Sequence, residues 1–220
     1  VDRLGAQIRP SEGNSVNDAP RAFLRRLPIT LVVAIVVWLL LRPAIDWAAA
    51  GLAQTLVRAF EYPRVTRLVV VEHRVELRRT DLHTESKVAA VSMTEITFNT
   101  IVLLALYLAL PRPLSRKQLE GLFMGWCVLC LCQSLNLVFH VKTLYATGLG
   151  EWSQLHYSDL TRNVFAFGQY FTDLPGRFSF PFLIWLGFNW EVVMKMLNVS
   201  NEEKGKGKKR TRAKRSNVQR

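Results

Sequence analysis

Three cysteines stand close together, Cys127, Cys130 and Cys132, in the run GWCVLCLCQSLN. A C-x-x-C spacing suggests a metal site or a redox pair. On a helix, however, Cys127 and Cys130 share a face and Cys132 points away. No His, Asp or Glu in this run completes a ligand set before His140. A nucleophilic thiolate would need a cation beside it to lower its pKa, and His140 and Arg162 are two turns or a loop away. Buried cysteine mostly behaves as a small apolar side chain, so packing is the stronger reading and no metal or cofactor site is expected.

The same stretch opens with Gly121 and Gly125 in a G-x-x-x-G spacing. Helical steps onward lead to Val128, Cys132 and Asn136, with Gln133 beside them. Small residues let helices approach closely, and Asn or Gln can bond across the contact. Gln133 and Asn136 would be costly against lipid. Gly121, Gly125, Cys132, Gln133 and Asn136 are therefore read as a helix-packing face, serving another span of this chain or a partner.

Four further polar residues are candidates at membrane depth. Glu95 and Asn99 are one helical turn apart. An intramembrane carboxylate is by default a functional hypothesis, but Glu95 falls near the water interface. Asp173 and Arg177 flank Pro175 and Gly176 and are expected to pair or to line a re-entrant turn, where irregular backbone must be covered by protein. His73, His83, His140 and His156 show no metal spacing. No nucleotide loop or nucleophile-elbow motif is present. An Asn-x-Ser pattern at Asn198 falls on the expected cytoplasmic side, where it carries no meaning.

The elements that must position these residues follow from composition. Of 220 residues, 50% are hydrophobic and 21% charged, and mean hydropathy is +0.12. The apolar residues gather in blocks of membrane-spanning length, with the charges between them. That excludes an acidic disordered chain and argues against a water-soluble enzyme. Net charge is +12, but residues 201–220 hold nine basic and two acidic side chains and so supply +7 of it. A basic tail beside a span suits the anionic cytoplasmic leaflet, at ~1 kcal/mol per Lys or Arg. Nucleic acid is disfavoured as a partner, because the tail has no aromatic residue to stack on bases.

Residues 1–20 are polar and expected to be flexible. The first span is expected over about 23–41, closed by Arg42 and Pro43; a span needs ~20 residues. A secretory signal peptide is the rival reading, since Arg25 and Arg26, a short apolar stretch and Ala48–Ala50 imitate its three regions. Arg42, Asp46 and bulky Trp47 stand against it. Residues 43–60 place Ile45, Ala48, Ala49, Leu52, Leu56 and Phe60 at helical spacing, which predicts an amphipathic helix lying in the interface. Alternation over 67–79, with Val69, Val71, Val75 and Leu77 on one parity, predicts a strand. A polar turn at 80–87 and a return strand at 88–93 would complete a small β-hairpin. Further spans are expected at about 94–110, 119–141 and 178–197.

Lys and Arg counts orient these spans. The N-terminal flank, the 111–118 loop and the C-terminal flank are densely basic, whereas 142–177 carries only Lys142, Arg162 and Arg177. Four spans with both termini cytoplasmic place all three basic flanks on one side. Three spans do not.

This order of parts resembles the exosortase H-associated membrane proteins. The likeness rests on EITFNTIVLLALYLALP at 95–111, RKQLEGLFMGWCVLCLCQSLNLVFHVKTL at 116–144 and FGQYFTDLPGRFSFPFLIWLGFN at 167–189. It is one of layout and hydropathy across most of 23–197. It implies an accessory role beside a sortase-like transpeptidase. The cysteine motif of exosortases themselves is missing, because Cys127 is followed by Val-Leu.

The reading is an all-α membrane protein. It has four transmembrane helices, an interfacial amphipathic helix and a small extracytoplasmic β-hairpin within an external insertion at 43–92. The transmembrane domain covers 21–200, and a basic cytoplasmic tail covers 201–220. The expected function is that of a non-catalytic accessory protein of the bacterial inner membrane. It would touch the bilayer and a membrane-protein partner. The alternatives are a membrane enzyme using an intramembrane cysteine and a structural subunit of a larger complex.

Overall fold

In the computed structural model the first apolar block does not end at Arg42 and Pro43. Helix α1 runs unbroken from Asp18 to Ala59 with Pro28 and Pro43 inside it. The structure describes residues 18–61, 64–79, 89–111 and 113–194. Almost all of the expected flexible segment 1–20, the turn at 80–87, the tail 201–220 and the Asn198 pattern lie outside these residues.

At about 1.5 Å per residue α1 reaches about 63 Å, twice the ~30 Å hydrocarbon core of a bilayer. Its two halves have different surroundings. Leu24, Ile29, Val32, Leu40 and their neighbours are exposed, whereas Ala49, Ala50, Ala53 and Val57 are buried. The separate interfacial helix expected over 43–60 is therefore replaced by the upper half of one rod. Of its expected apolar face, Ile45 and Ala49 are buried, Ala48, Leu52 and Leu56 are half-buried, and Phe60 is exposed. The polar positions of that half bond to the backbone of Thr66 and Leu68. Gln54 Oε1 accepts the Leu68 N–H at 2.9 Å, and Arg58 Nε donates to the Thr66 carbonyl at 2.9 Å. Pro43 costs the helix one backbone hydrogen bond. Beside it the Arg42 guanidinium lies over the Trp38 ring at 5.0 Å and donates to Thr94.

Strands β1 (Thr66–Val71), β2 (Arg74–Arg79) and β3 (Ala89–Ser92) form an antiparallel sheet in that order. The region read as a single strand over 67–79 is itself a hairpin. The chain turns at Glu72 and His73, which hold φ of 43° and 66°. Both residues of a tight two-residue hairpin turn take positive φ. The register places Leu68 opposite Leu77 and Val70 opposite Val75, so the inward parity switches across the turn. The expected return strand is present as β3, with Val91 opposite Val75.

Helices α2 (Met93–Thr97) and α3 (Asn99–Leu108) descend from the sheet, and α4 (Arg116–Thr147) returns. A short α5 (Glu151–His156) leads to α6 (Asp159–Asp173) and α7 (Pro175–Phe188). The helices bend at Leu174, and Pro175 starts α7, where its missing N–H costs nothing. Both pack along α4. The apolar stretch 164–171 thus belongs to α6, beside the upper part of α4. Alpha-carbon space there is tight: a Cβ at Gly168 would lie 2.4 Å from the Phe139 ring. Two helices, over Pro20–Ala59 and Arg116–Thr147, are long and apolar enough to cross a membrane, and 93–108 is a shorter apolar stretch.

The core falls into three clusters, one of which joins Ala34, Trp38 and Ile45 of α1 to Ile101 and Ala105 of α3. A second joins Ala49, Ala53 and Val57 of α1 to Leu68, Val75 and Leu77 of the sheet and to Leu137, Val141 and Tyr145 of α4. The third gathers Leu103 and Tyr107 of α3, Leu129 of α4 and Trp185 of α7.

Candidate functional site

The helices bring their polar side chains together in a belt. On one side is Asp46, fully buried on α1. Its Oδ1 accepts from Thr97 Oγ1 at 3.2 Å, and its Oδ2 lies 3.2 Å from His73 Nδ1 and 3.7 Å from Arg42 Nε. The helix carries the pair at i, i+4, and the hairpin turn delivers His73. Arg42, expected to close the first span, and Asp46 instead lie within one continuous helix. Their one-turn spacing beside an alanine run was the available signal.

On the other side α4 and α6 face each other with two polar residues apiece, each pair one turn apart. Asn136 Nδ2 donates to Asp173 Oδ1 at 3.1 Å, and His140 Nε2 lies 3.1 Å from the same carboxylate. Gln169 Nε2 lies 3.0 Å from His140 Nδ1. Nε2–H is thereby placed to donate to Asp173, and the role of Nδ1 follows the orientation of the Gln169 amide. Burial alone would raise the Asp173 carboxyl. The hydrogen bond and charge of His140, the Asn136 amide and the Arg177 charge outweigh it and hold the group below the usual carboxylate range. Asp173 closes α6 ahead of the apolar run that begins at Phe178.

Asp173 and Arg177, read as a pair or as the lining of a re-entrant turn, each take another partner. Arg177 makes its ion pair with Glu95, at 3.8 Å, and Asp173 bonds to α4. Asn99 turns away from Glu95 and accepts from Gln133 Nε2 at 2.7 Å, with Thr100 accepting from the same nitrogen at 2.9 Å. A cleft of about 510 Å3 opens between these helices, lined by Glu95, Gln169, Asp173 and Arg177.

The packing face on α4 is filled from within the chain. Tyr107 donates to the Gly121 carbonyl at 2.9 Å. A Cβ at Gly125 would meet Ile184 at 3.3 Å and the Tyr107 hydroxyl at 3.4 Å. Of the five residues read as one face, Gly125, Gln133 and Asn136 are buried, Gly121 lies against Tyr107, and Cys132 is half-buried. The glycines therefore face α3 and α7 of the same chain, the first of the two alternatives left open for this face.

All three cysteines are free thiols. Among the described residues no basic side chain bonds to them, and no group of three His, Cys, Asp or Glu is placed to hold a metal ion. The His140–Asp173 pair has the geometry of a base and its orienting carboxylate. Among the described residues no Ser, Thr or Cys bonds to His140 to act as nucleophile. A second opening, an apolar groove of about 330 Å3, runs between α1, α3 and α4. Leu41, Ile45, Leu104, Leu122, Phe123 and Trp126 are among the residues lining it.

No curated protein and no solved structure matches the chain. Residues 17–192, which take in every element from α1 to α7, match the family described as exosortase H-associated membrane protein, and the chain belongs to that family.

Proposed function

We propose that the chain is a non-catalytic accessory protein of the bacterial inner membrane that holds a span of an exosortase-type partner. In this reading four segments cross the bilayer: the lower half of α1, α2 with α3, α4, and α7 with the residues after it. Both termini are cytoplasmic, as the basic flanks favour. The net +7 of residues 201–220 favours the anionic leaflet on that side. The sheet, α5 and the upper half of α1 stand outside, where α1 joins them rigidly to the spans.

The observation that carries the reading is the groove between α1, α3 and α4. The G-x-x-x-G face is already occupied by Tyr107 and Ile184. The groove is not filled by the described residues, it is apolar, and its residues belong to the helices proposed to span. Helix association in lipid is driven by packing, because the tails are as apolar as leucine. An unfilled groove is where a partner helix adds such packing. The family description, an exosortase-associated membrane protein, supplies the partner class.

The test is co-purification of the full chain with an exosortase-type membrane protein in mild detergent. Leu104→Trp and Leu122→Trp fill the groove from its floor and wall and should abolish capture. Leu160→Trp, on the exposed side of α6, should not. Undiminished capture by both groove variants overturns the reading. Reporter fusions test the orientation: a periplasmic C-terminus overturns it.

A further inference from the structure

We propose that the cleft between α2, α6 and α7 binds the head group of a phospholipid with a primary ammonium, phosphate against Arg177 and ammonium against Glu95 and Asp173. The inference rests on the reading above that α2 with α3, α4 and α7 cross the bilayer with the sheet and α5 outside, which puts the cleft at the outer boundary.

The cleft presents both signs of charge from three helices. Arg177 on α7 has 27% of its side chain exposed, whereas Glu95 on α2 is 69% exposed. Their 3.8 Å separation is longer than a hydrogen bond. The guanidinium therefore keeps donors for a phosphate, which it can bind in a two-pronged fashion. Asp173 is fixed from behind by Asn136 and His140. A carboxylate has about four lone-pair sites, so it retains capacity to accept from an ammonium. Two carboxylates and one guanidinium answer a zwitterion better than they answer a simple anion or cation.

The surroundings name a lipid as the source. Leu174 and Tyr170 line the cleft and are 55% and 62% exposed. From them an exposed apolar stripe continues through Phe171 and Phe178, where acyl chains would lie. A soluble ligand has no use for that stripe. A phosphatidylglycerol head carries no cation for the two carboxylates. A phosphatidylcholine head carries a quaternary ammonium with no N–H to donate.

The experiment uses the full chain in nanodiscs holding equal phosphatidylethanolamine, phosphatidylcholine and phosphatidylglycerol, then native mass spectrometry of the lipids retained after transfer to detergent. Phosphatidylethanolamine should be retained preferentially, and Arg177→Gln should lower that retention roughly tenfold, as loss of a charge-assisted bond implies. Arg116→Gln, at the opposite end of α4 and 94% exposed, should leave it unchanged. Asp173→Asn should lower it too, and Arg177→Gln serves if that variant does not fold. Equal retention of the three lipids, or retention indifferent to Arg177→Gln, overturns the proposal. So does displacement of the lipid preference by a bound peptide. Soluble phosphoethanolamine competing as well as the lipid would overturn the bilayer source. A chain that retains phosphatidylethanolamine yet captures no exosortase-type partner fails only the functional reading. The reverse result fails only this one.

Discussion

Asp46 Oδ2 lies 3.2 Å from His73 Nδ1, so a fully buried carboxylate on α1 holds the turn of a hairpin 27 residues further along. Thr97 and Arg42 occupy its other sides. Removing one partner of a buried ion pair leaves the other uncompensated. Asp46→Ala strands Arg42, whose side chain is only 14% exposed, and should cost about 3 kcal/mol. Asp46→Asn keeps a hydrogen-bonding side chain and should cost less. His73 is half-exposed and sits at φ 66°. Glycine relieves that backbone, so His73→Gly should be more stable than His73→Ala. Unfolding of the full chain in detergent measures all three. Equal stability of Asp46→Ala and the parent would show that the cluster does not hold the hairpin.

Glycine positions separate tight packing from open surface. A Cβ at Gly168 would lie 2.4 Å from Phe139, whose ring belongs to α4. Gly168→Ala should therefore cost about 1–3 kcal/mol through overpacking. Combining it with Phe139→Leu should recover part of that loss, a coupling that a double-mutant cycle reads directly. Gly51 lies within α1 with nothing within 4 Å of a Cβ. Gly51→Ala should stabilise by up to about 1 kcal/mol, the helix-propensity difference. Equal effects at the two positions would contradict the close approach of α6 to α4.

What was readable in the sequence depended on whether a signal was local. The run 119–141 contains no proline and a single acidic residue, Glu120 at its start, so α4 is evident from composition. Pro43 misleads, because local propensity says break. The contacts that carry α1 through it, Arg42 to Thr94 and Ala49 to Val57 against the sheet, are tertiary. The turn at Glu72 and His73 is hidden for a different reason. It lacks the Gly or Asn that marks such a turn, and Val69, Val71, Val75 and Leu77 keep one parity across it. The belt was readable only in fragments. Asn136 with His140, and Gln169 with Asp173, each show one-turn spacing, but nothing in the chain says that the two pairs meet across 33 residues.

The thiols offer a direct check on whether chemistry resides in α4. Cys130 is buried, and Cys127 and Cys132 are half-buried, all without a basic partner among the described residues. Replacing all three with alanine should leave partner capture intact. Cys130→Ala should account for most of any stability loss, about 1 kcal/mol for a small buried side chain. If a single Cys→Ala abolished function while the chain stayed folded, a thiol mechanism would replace the accessory role. The assay is function of the partner system scored beside unfolding of each variant.

Asp173 gives the chain an acid-sensitive contact between α4 and α6. Burial works against its charge, yet His140, Asn136 and Arg177 together leave its carboxyl below the usual range. The folded chain therefore binds this proton less readily than the unfolded chain does. Its contribution is complete above the ordinary carboxylate value near pH 4 and is lost as pH falls through the lower folded value. Asp173→Asn removes the titrating group. The variant should be less stable than the parent at neutral pH, and the two should converge as the solution is made strongly acidic. Melting of both proteins in detergent from neutral to acid pH reads that convergence. Parallel profiles would mean that Asp173 gains nothing from His140 and Asn136 in the fold. The 3.1 Å contacts would then be geometry without energetic consequence.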